Sequence, residues 1–146
     1  MPKIEKITKQ TENPYVNLYL VEGKNKVDHP FRYYVASRAK TMEALKIKTK
    51  KNTPDGVLMY SLYGEKRDKI VLVRQYRVSI DDYIYEFPAG LVESGEEFHE
   101  AAVREMHEET GLTFHPLKVD PCYEKPFFTT IGMTDEACSA VYGWCE

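Results

Sequence analysis

Cysteine is scarce in this chain of 146 residues: only Cys122, Cys138 and Cys145, an odd number with no CxxC pair. A disulfide framework and a cysteine-based zinc cage are both excluded, and the thiols read as buried or incidental. An excess of basic charge is also missing. The 20 Lys and Arg against 23 Asp and Glu give a net charge of −3, so the chain lacks the broad basic surface that displaces counterions from nucleic-acid phosphates. Nucleic acid is not an expected partner. No apolar run approaches the roughly 20 residues that a membrane span requires, and the opening MPKIEKITKQTENP has no apolar middle of the signal-peptide kind. No membrane partner is expected, and the expected compartment is the cytoplasm. Repeats, low-complexity tracts and long Pro/Gly/Ser linkers are absent too, which leaves one globular core as the reading for this length.

What is present is β-rich. YVNLYLVEG and FRYYVASRA are dense in Tyr, Val and Leu and are separated by GKNKVDHP, a pattern that predicts an antiparallel pair. A basic run followed by a Pro-Asp-Gly turn signal, KTKKNTPDG over residues 48–56, is the one seam. It divides a β-rich N-terminal extension, residues 1–50, from a domain over residues 51–146. GVLMYSLYG, KIVLVRQYRVSI and DYIYEFPAGLV follow as further strands, and LTFHPLKVDPCYE and ACSAVYGWCE return to strand character, with Pro116 and Pro121 limiting the first. Between them, EEFHEAAVREMHEE has no Gly or Pro and is followed by Gly111, which predicts a helix over about residues 96–109. The expected class is α+β, a mixed sheet with one prominent helix.

On that helix Glu105, Glu108 and Glu109 lie three and four apart and crowd one stripe. A solvated acidic face would cost only about 0.2–0.5 kcal/mol per like-charge pair, which Arg104 could offset by reaching Glu100 or Glu108. A second reading is a site for a hard cation. Magnesium prefers oxygen ligands in open, near-octahedral coordination that keeps several waters.

Residues 90–112 read GLVESGEEFHEAAVREMHEETGL. This resembles the Nudix box, Gx5Ex7REUxEExGU with U a bulky apolar residue. Gly90, Glu96, Arg104, Glu105, Met106, Glu108, Glu109, Gly111 and Leu112 fill every specified position. The resemblance implies a Nudix-like mixed sheet with a loop-helix-loop catalytic motif and, here, a β-rich N-terminal extension. It implies Mg²⁺ as cofactor, with Mn²⁺ able to substitute, held by Glu105, Glu108 and Glu109 and by a backbone carbonyl at Ala89 or Gly90. Glu96 and Arg104 would be structural support, Arg104 tying the loop to the helix.

Upstream, VLVRQYR and YEFPAG resemble the flanks of the box in the ADP-ribose and nucleoside-diphosphate-sugar pyrophosphatase branch. The branch resemblance implies that Arg77 contacts the diphosphate, where a guanidinium can take two phosphate oxygens. Glu86 is either a contact to substrate or metal-bound water, or a turn residue. Downstream, TTIGMTDE matches the branch's Ser-Pro-Gly segment only in part: Gly132 and Glu136 are in place, but Thr130 and Ile131 stand where the serine and proline would. Phe127 and Phe128 could stack on a purine or belong to the core. The N-terminal extension would pack on, or swap with, a second subunit, giving a homodimer. The family fold ends with a helix, whereas this sequence stops directly after a strand, so the final helix is expected to be missing, by truncation or by replacement.

The activity so implied is hydrolysis of the diphosphate of ADP-ribose or a related nucleoside diphosphate sugar, giving a nucleoside monophosphate and a sugar phosphate. The base that takes the water's proton would be Glu108, Glu86 or Glu136. Two alternatives stand beside it: a pyrophosphohydrolase of nucleoside triphosphates or dinucleoside polyphosphates, and a silent nucleotide sensor.

Overall fold

Lysines at Lys3, Lys6 and Lys9 interrupt the first apolar alternation, and the strand they produce, β1 (Lys3–Lys9), is a largely exposed edge. A charged edge of this kind discourages further strand addition. It is hydrogen-bonded antiparallel to β2 (Asn17–Lys24), which pairs in turn with β3 (Pro30–Ser37). The antiparallel pair expected from the sequence is therefore present, with β1 as a third strand that its lysine-rich composition did not announce. Tyr19, Leu20 and Val21 are consecutive and all buried, because β2 is central. Buried Asn17 is fully used: its side chain accepts from the Asn13 N–H and the Thr11 hydroxyl and donates to the Asn13 carbonyl. A short helix, α1 (Lys46–Thr49), follows.

The computed structural model describes all residues, 1–146. They divide into two units: residues 1–53 with 128–136, and residues 54–127 with 137–146. Segment 128–136 belongs with the first unit. Its attachment is specific: the Ala36 N–H donates to the Met133 carbonyl at 2.8 Å, Arg38 Nε pairs with Glu136 at 2.8 Å, and the Lys46 N–H donates to Asp135 at 3.3 Å.

The second unit is organised by β4 (Gly56–Tyr63). It is flanked by β5 (Lys69–Ile70), by β8 (Ala89–Leu91) and, in parallel, by the last strand, β11 (Ala137–Cys145). The strands β6 (Val73–Arg77) and β7 (Asp82–Glu86) leave this sheet and pair only with each other. The helix α2 (Phe98–Thr110) packs on β4, β8 and β9 (Phe114–Pro116). The stretch expected to continue β9 as a strand is instead a short 3-10 turn at Pro121–Tyr123, since proline withholds the ladder N–H. A two-residue strand, β10 (Phe127–Phe128), lies where the chain passes into the first unit. The core gathers Val57, Met59, Val71, Ala101, Ala102, Met106, Phe114, Val141 and Cys145. Ala101 and Ala102 let the helix axis come close to the sheet. The expected α+β class with a mixed sheet and one main helix stands. No helix is long and apolar enough to cross a membrane.

Candidate active site

Helix α2 begins at Glu97, whose carboxylate accepts from the His99 N–H, and ends at Gly111, whose φ of 74° is the left-handed cap that glycine takes without steric cost. Those two stops match the expected helix to within two residues. Between them Ala101, Ala102 and Met106 are fully buried, which fixes the helix rotation. Glu105 and Glu109, four and eight residues beyond Ala101, border the buried stripe and are carried toward β8.

The two carboxylates meet the backbone there. A Cβ placed on Gly90 would lie 1.9 Å from Cδ of Glu105, so this glutamate occupies the space that any side chain at position 90 would need. Glu109 accepts a hydrogen bond from the Ala89 N–H at 3.2 Å. Burial raises the Glu109 carboxyl above its ordinary value; the neighbouring charges of Glu105 and Glu86 add to that, while the Ala89 N–H and Arg77 oppose it. Like charges are thus collected around one turn of backbone, the electrostatic setting of a cation site.

Arg104 is bonded on every side. Its Nε and Nη2 fork both oxygens of Glu96 at 2.9 Å, Nη2 also reaches the Leu91 carbonyl at 3.1 Å, and Nη1 donates to Glu105 at 2.8 Å and Glu108 at 3.3 Å. The guanidinium therefore ties the loop before the helix to the helix itself. Of the two partners foreseen at i±4 it takes Glu108 and not Glu100. The Arg104 pair, together with the Glu93 N–H, holds the Glu96 carboxyl below its usual range.

Arg77, at the turn end of the β6–β7 hairpin, reaches along one face of the sheet to Glu86 at its open end, Arg77 Nε donating to Glu86 at 2.8 Å. That bond pushes the guanidinium further toward the charged form. Glu86 is a strand residue rather than a turn residue, and it holds Arg77 through Nε.

Not every candidate joins this group. Glu108 is more exposed than Glu105 and stands on the Arg104 side of the helix. No three His, Cys, Asp or Glu side chains are poised as they stand to hold an ion, with Arg104 supplying the positive charge between Glu105 and Glu108. Phe127 and Phe128 are exposed strand residues and do not enter the core. Glu136 lies in the first unit, where Arg38 and the Thr129 hydroxyl hold it. One participant was unforeseen: His99 bridges Glu97 through Nδ1 and Glu124 through Nε2 at 2.8 Å, pinning the loop after β9 to the start of the helix. No spacing rule links Glu124 to His99, since they are brought together only by the chain's return.

Residues 52–142 match the NUDIX domain. The chain belongs to the Nudix family. Among curated Nudix relatives it is 35% identical over 80 residues to the ADP-ribose pyrophosphatase of Saccharomyces cerevisiae, covering 53% of this chain and 35% of that protein. It is 36% identical over 87 residues to the ADP-sugar pyrophosphatase of Mus musculus, covering 58% and 40%. The chain therefore spans well under half the length of either. A crystal structure of an ADP compounds hydrolase superposes with a TM-score of 0.71 at 19% identity, over 98% of this chain and 66% of that one, and shares its fold.

The donor set of the Nudix box fits a hard divalent cation. It offers carboxylate oxygens on adjacent helical turns and, at Gly90, a backbone that lies directly against the Glu105 carboxylate.

Proposed function

We propose that this Nudix domain hydrolyses the diphosphate of ADP-ribose or a related nucleoside diphosphate sugar, releasing a nucleoside monophosphate and a sugar phosphate. The observation that carries the reading is the seating of Glu105 in the space kept free by Gly90, with Glu109 docked on the Ala89 N–H beside it. The names of the relatives favour an ADP-linked substrate.

Glu105, Glu108 and Glu109, with the carbonyl of Ala89 or Gly90, would hold Mg²⁺, or Mn²⁺ in its place. When bound, such an ion neutralises diphosphate charge and lowers the pKa of a coordinated water. Arg104 keeps the glutamate-bearing helix and the Glu96 loop in one geometry, so the carboxylates are positioned before substrate arrives. Arg77, fixed through Nε by Glu86, presents its two terminal nitrogens for bidentate contact with phosphate oxygens and stabilises the charge that moves onto the leaving phosphate. Water adds across the P–O–P bridge: its oxygen bonds to one phosphorus, and one phosphate departs on the bridging oxygen. The proton from water goes to a carboxylate, Glu108 or Glu86, and exchanges with solvent. The protein partner we infer is a second copy of the chain.

The test is incubation with Mg²⁺ and a panel of ADP-ribose, other nucleoside diphosphate sugars, NADH, coenzyme A and nucleoside triphosphates, with products identified by mass spectrometry. The expected products are AMP and ribose 5-phosphate from ADP-ribose. Turnover confined to nucleoside triphosphates would replace the substrate assignment, and binding without turnover would make the domain a sensor.

A further inference from the structure

The first unit contains a hollow of its own. Strands β2 and β3 place Tyr19, Val21 and Val35 on one face, Tyr19 directly opposite Val35. The start of α1 and segment 128–136 close over that face and leave a cavity of about 310 Å³ with mostly apolar walls. Every lining residue belongs to the first unit, and none to the Nudix box. The base is buried and the mouth is open: Tyr19 and Leu45 are 0% and 2% exposed, whereas Phe128 and Ile131 are 43% and 60% exposed. Segment 128–136 is pinned in place, since the Tyr33 hydroxyl donates to the Gly132 carbonyl and the Ala36 N–H to the Met133 carbonyl.

Polar groups around the hollow are few, and most are engaged elsewhere. The Tyr19 hydroxyl donates to the Ala39 carbonyl at 2.6 Å, the Lys46 ammonium donates to the Thr53 carbonyl at 2.8 Å, and the Thr134 hydroxyl accepts from the Glu136 N–H at 3.1 Å. Asp135 differs. Its carboxylate lines the cavity, accepts from the Lys46 N–H through one oxygen at a long 3.3 Å, and forms no ion pair.

Small-molecule sites of about 300–1,000 Å³ combine apolar walls with a few polar groups that orient the ligand, and this hollow falls at the small end of that range. The carboxylate decides the sign of the ligand. It repels phosphates, which excludes the nucleotide substrate of the proposed reaction, and offers a protonated amine a charge-assisted hydrogen bond. The rings of Tyr19 and Phe128 favour an aromatic body over an aliphatic one.

We propose that this cavity binds a small aromatic amine, with its ring over the β2–β3 floor and its ammonium on the Asp135 carboxylate. The site is independent of the diphosphate chemistry proposed above, and either reading can fail without the other.

Methyl NMR of the full chain, with the Ile, Leu and Val signals assigned, provides the test. The probes are 2-phenylethylamine, the neutral 2-phenylethanol and the anionic 3-phenylpropionate, each titrated to about 10 mM. The amine should shift the methyls of Val21, Val35, Leu45, Ile47 and Ile131 saturably and bind at least about 10-fold more tightly than the alcohol, with the acid weaker still. Asp135→Asn keeps an oxygen for the Lys46 N–H, so its spectrum should remain that of the folded chain while the preference for the amine disappears. No saturable shift at these methyls, or shifts confined to other parts of the chain, would overturn the site. Equal or tighter binding of the acid, or an undiminished preference for the amine in Asp135→Asn, would overturn the assignment of a cationic ligand. Shifts of the same methyls with protein concentration alone, without probe, would show that a second copy fills the hollow and would overturn the proposal.

Discussion

The glutamate helix and the β6–β7 hairpin both carry charged groups to the same site, yet they are secured in opposite ways. On the helix side one guanidinium links loop and helix: Arg104 alone makes five hydrogen bonds, and Ala101, Ala102 and Met106 anchor the segment in the core. On the hairpin side one ion pair, Arg77 with Glu86, stands on a two-stranded sheet with exposed tyrosines behind it. The lesson is that preorganisation is uneven. The acidic half is tied into the core, whereas the hairpin half rests on a single ion pair.

Glu109→Gln should strike the acidic half hardest, lowering turnover by at least about 100-fold while leaving the denaturation midpoint nearly unchanged, since the amide oxygen can still accept from the Ala89 N–H. Retained activity at saturating Mg²⁺ in a steady-state assay would break the contrast, because the helix would then be no more than a charged face. Arg77→Lys probes the other half. Loss of the planar fork should lower kcat/KM by roughly 10- to 100-fold, chiefly through KM, with a stability change within about 0.5 kcal/mol. A large loss of stability would mean that the hairpin is braced as firmly as the helix.

Gly90→Ala sharpens the comparison from the backbone side. The added methyl collides with the Glu105 carboxylate, so the glutamate must swing out; urea titration should show a loss of about 1–3 kcal/mol, and Mn²⁺ affinity by electron paramagnetic resonance should fall. Unaltered Mn²⁺ binding would remove Glu105 from the cation site. The smallest effect belongs to His99. Burial disfavours its charged form, but hydrogen bonds to Glu124 and Glu97 outweigh this and raise its pKa. A raised folded value means that the contribution is fully present below the unfolded pKa of about 6.5 and is lost as pH rises through the higher folded value. Stability followed by denaturant titration across that interval should decline by less than about 1 kcal/mol, and His99→Gln should flatten the slope. An identical slope in the variant would show that the bridge to Glu124 carries no linkage.

The helix was readable because its signals are local. Residues 96–109 lack Gly and Pro, Gly111 supplies the stop, and the acid positions recur at helical spacing, so the same residues that define the motif also define the element. The hairpin was half readable. VRQYR and DYIYE have strand composition, but nothing in them distinguishes a strand within the main sheet from a pair that leaves it, because that choice depends on which neighbours β4 already has. Strand β1 escaped notice because three lysines mask its alternation. The position of Glu136 with Arg38 in the first unit could not be foreseen either, since ninety-eight residues separate them.

What the order of residues settled by itself was the acidic helix, its two ends and the nine box positions, because helix periodicity and capping act within a few residues of each atom. What only the folded chain decided was which carboxylates press on Gly90 and Ala89, which three Arg104 gathers, and that Tyr76, Tyr83 and Tyr85 are left facing water. Those outcomes depend on contacts between distant segments, and a contact of that kind exists only once the sheet has brought its strands together.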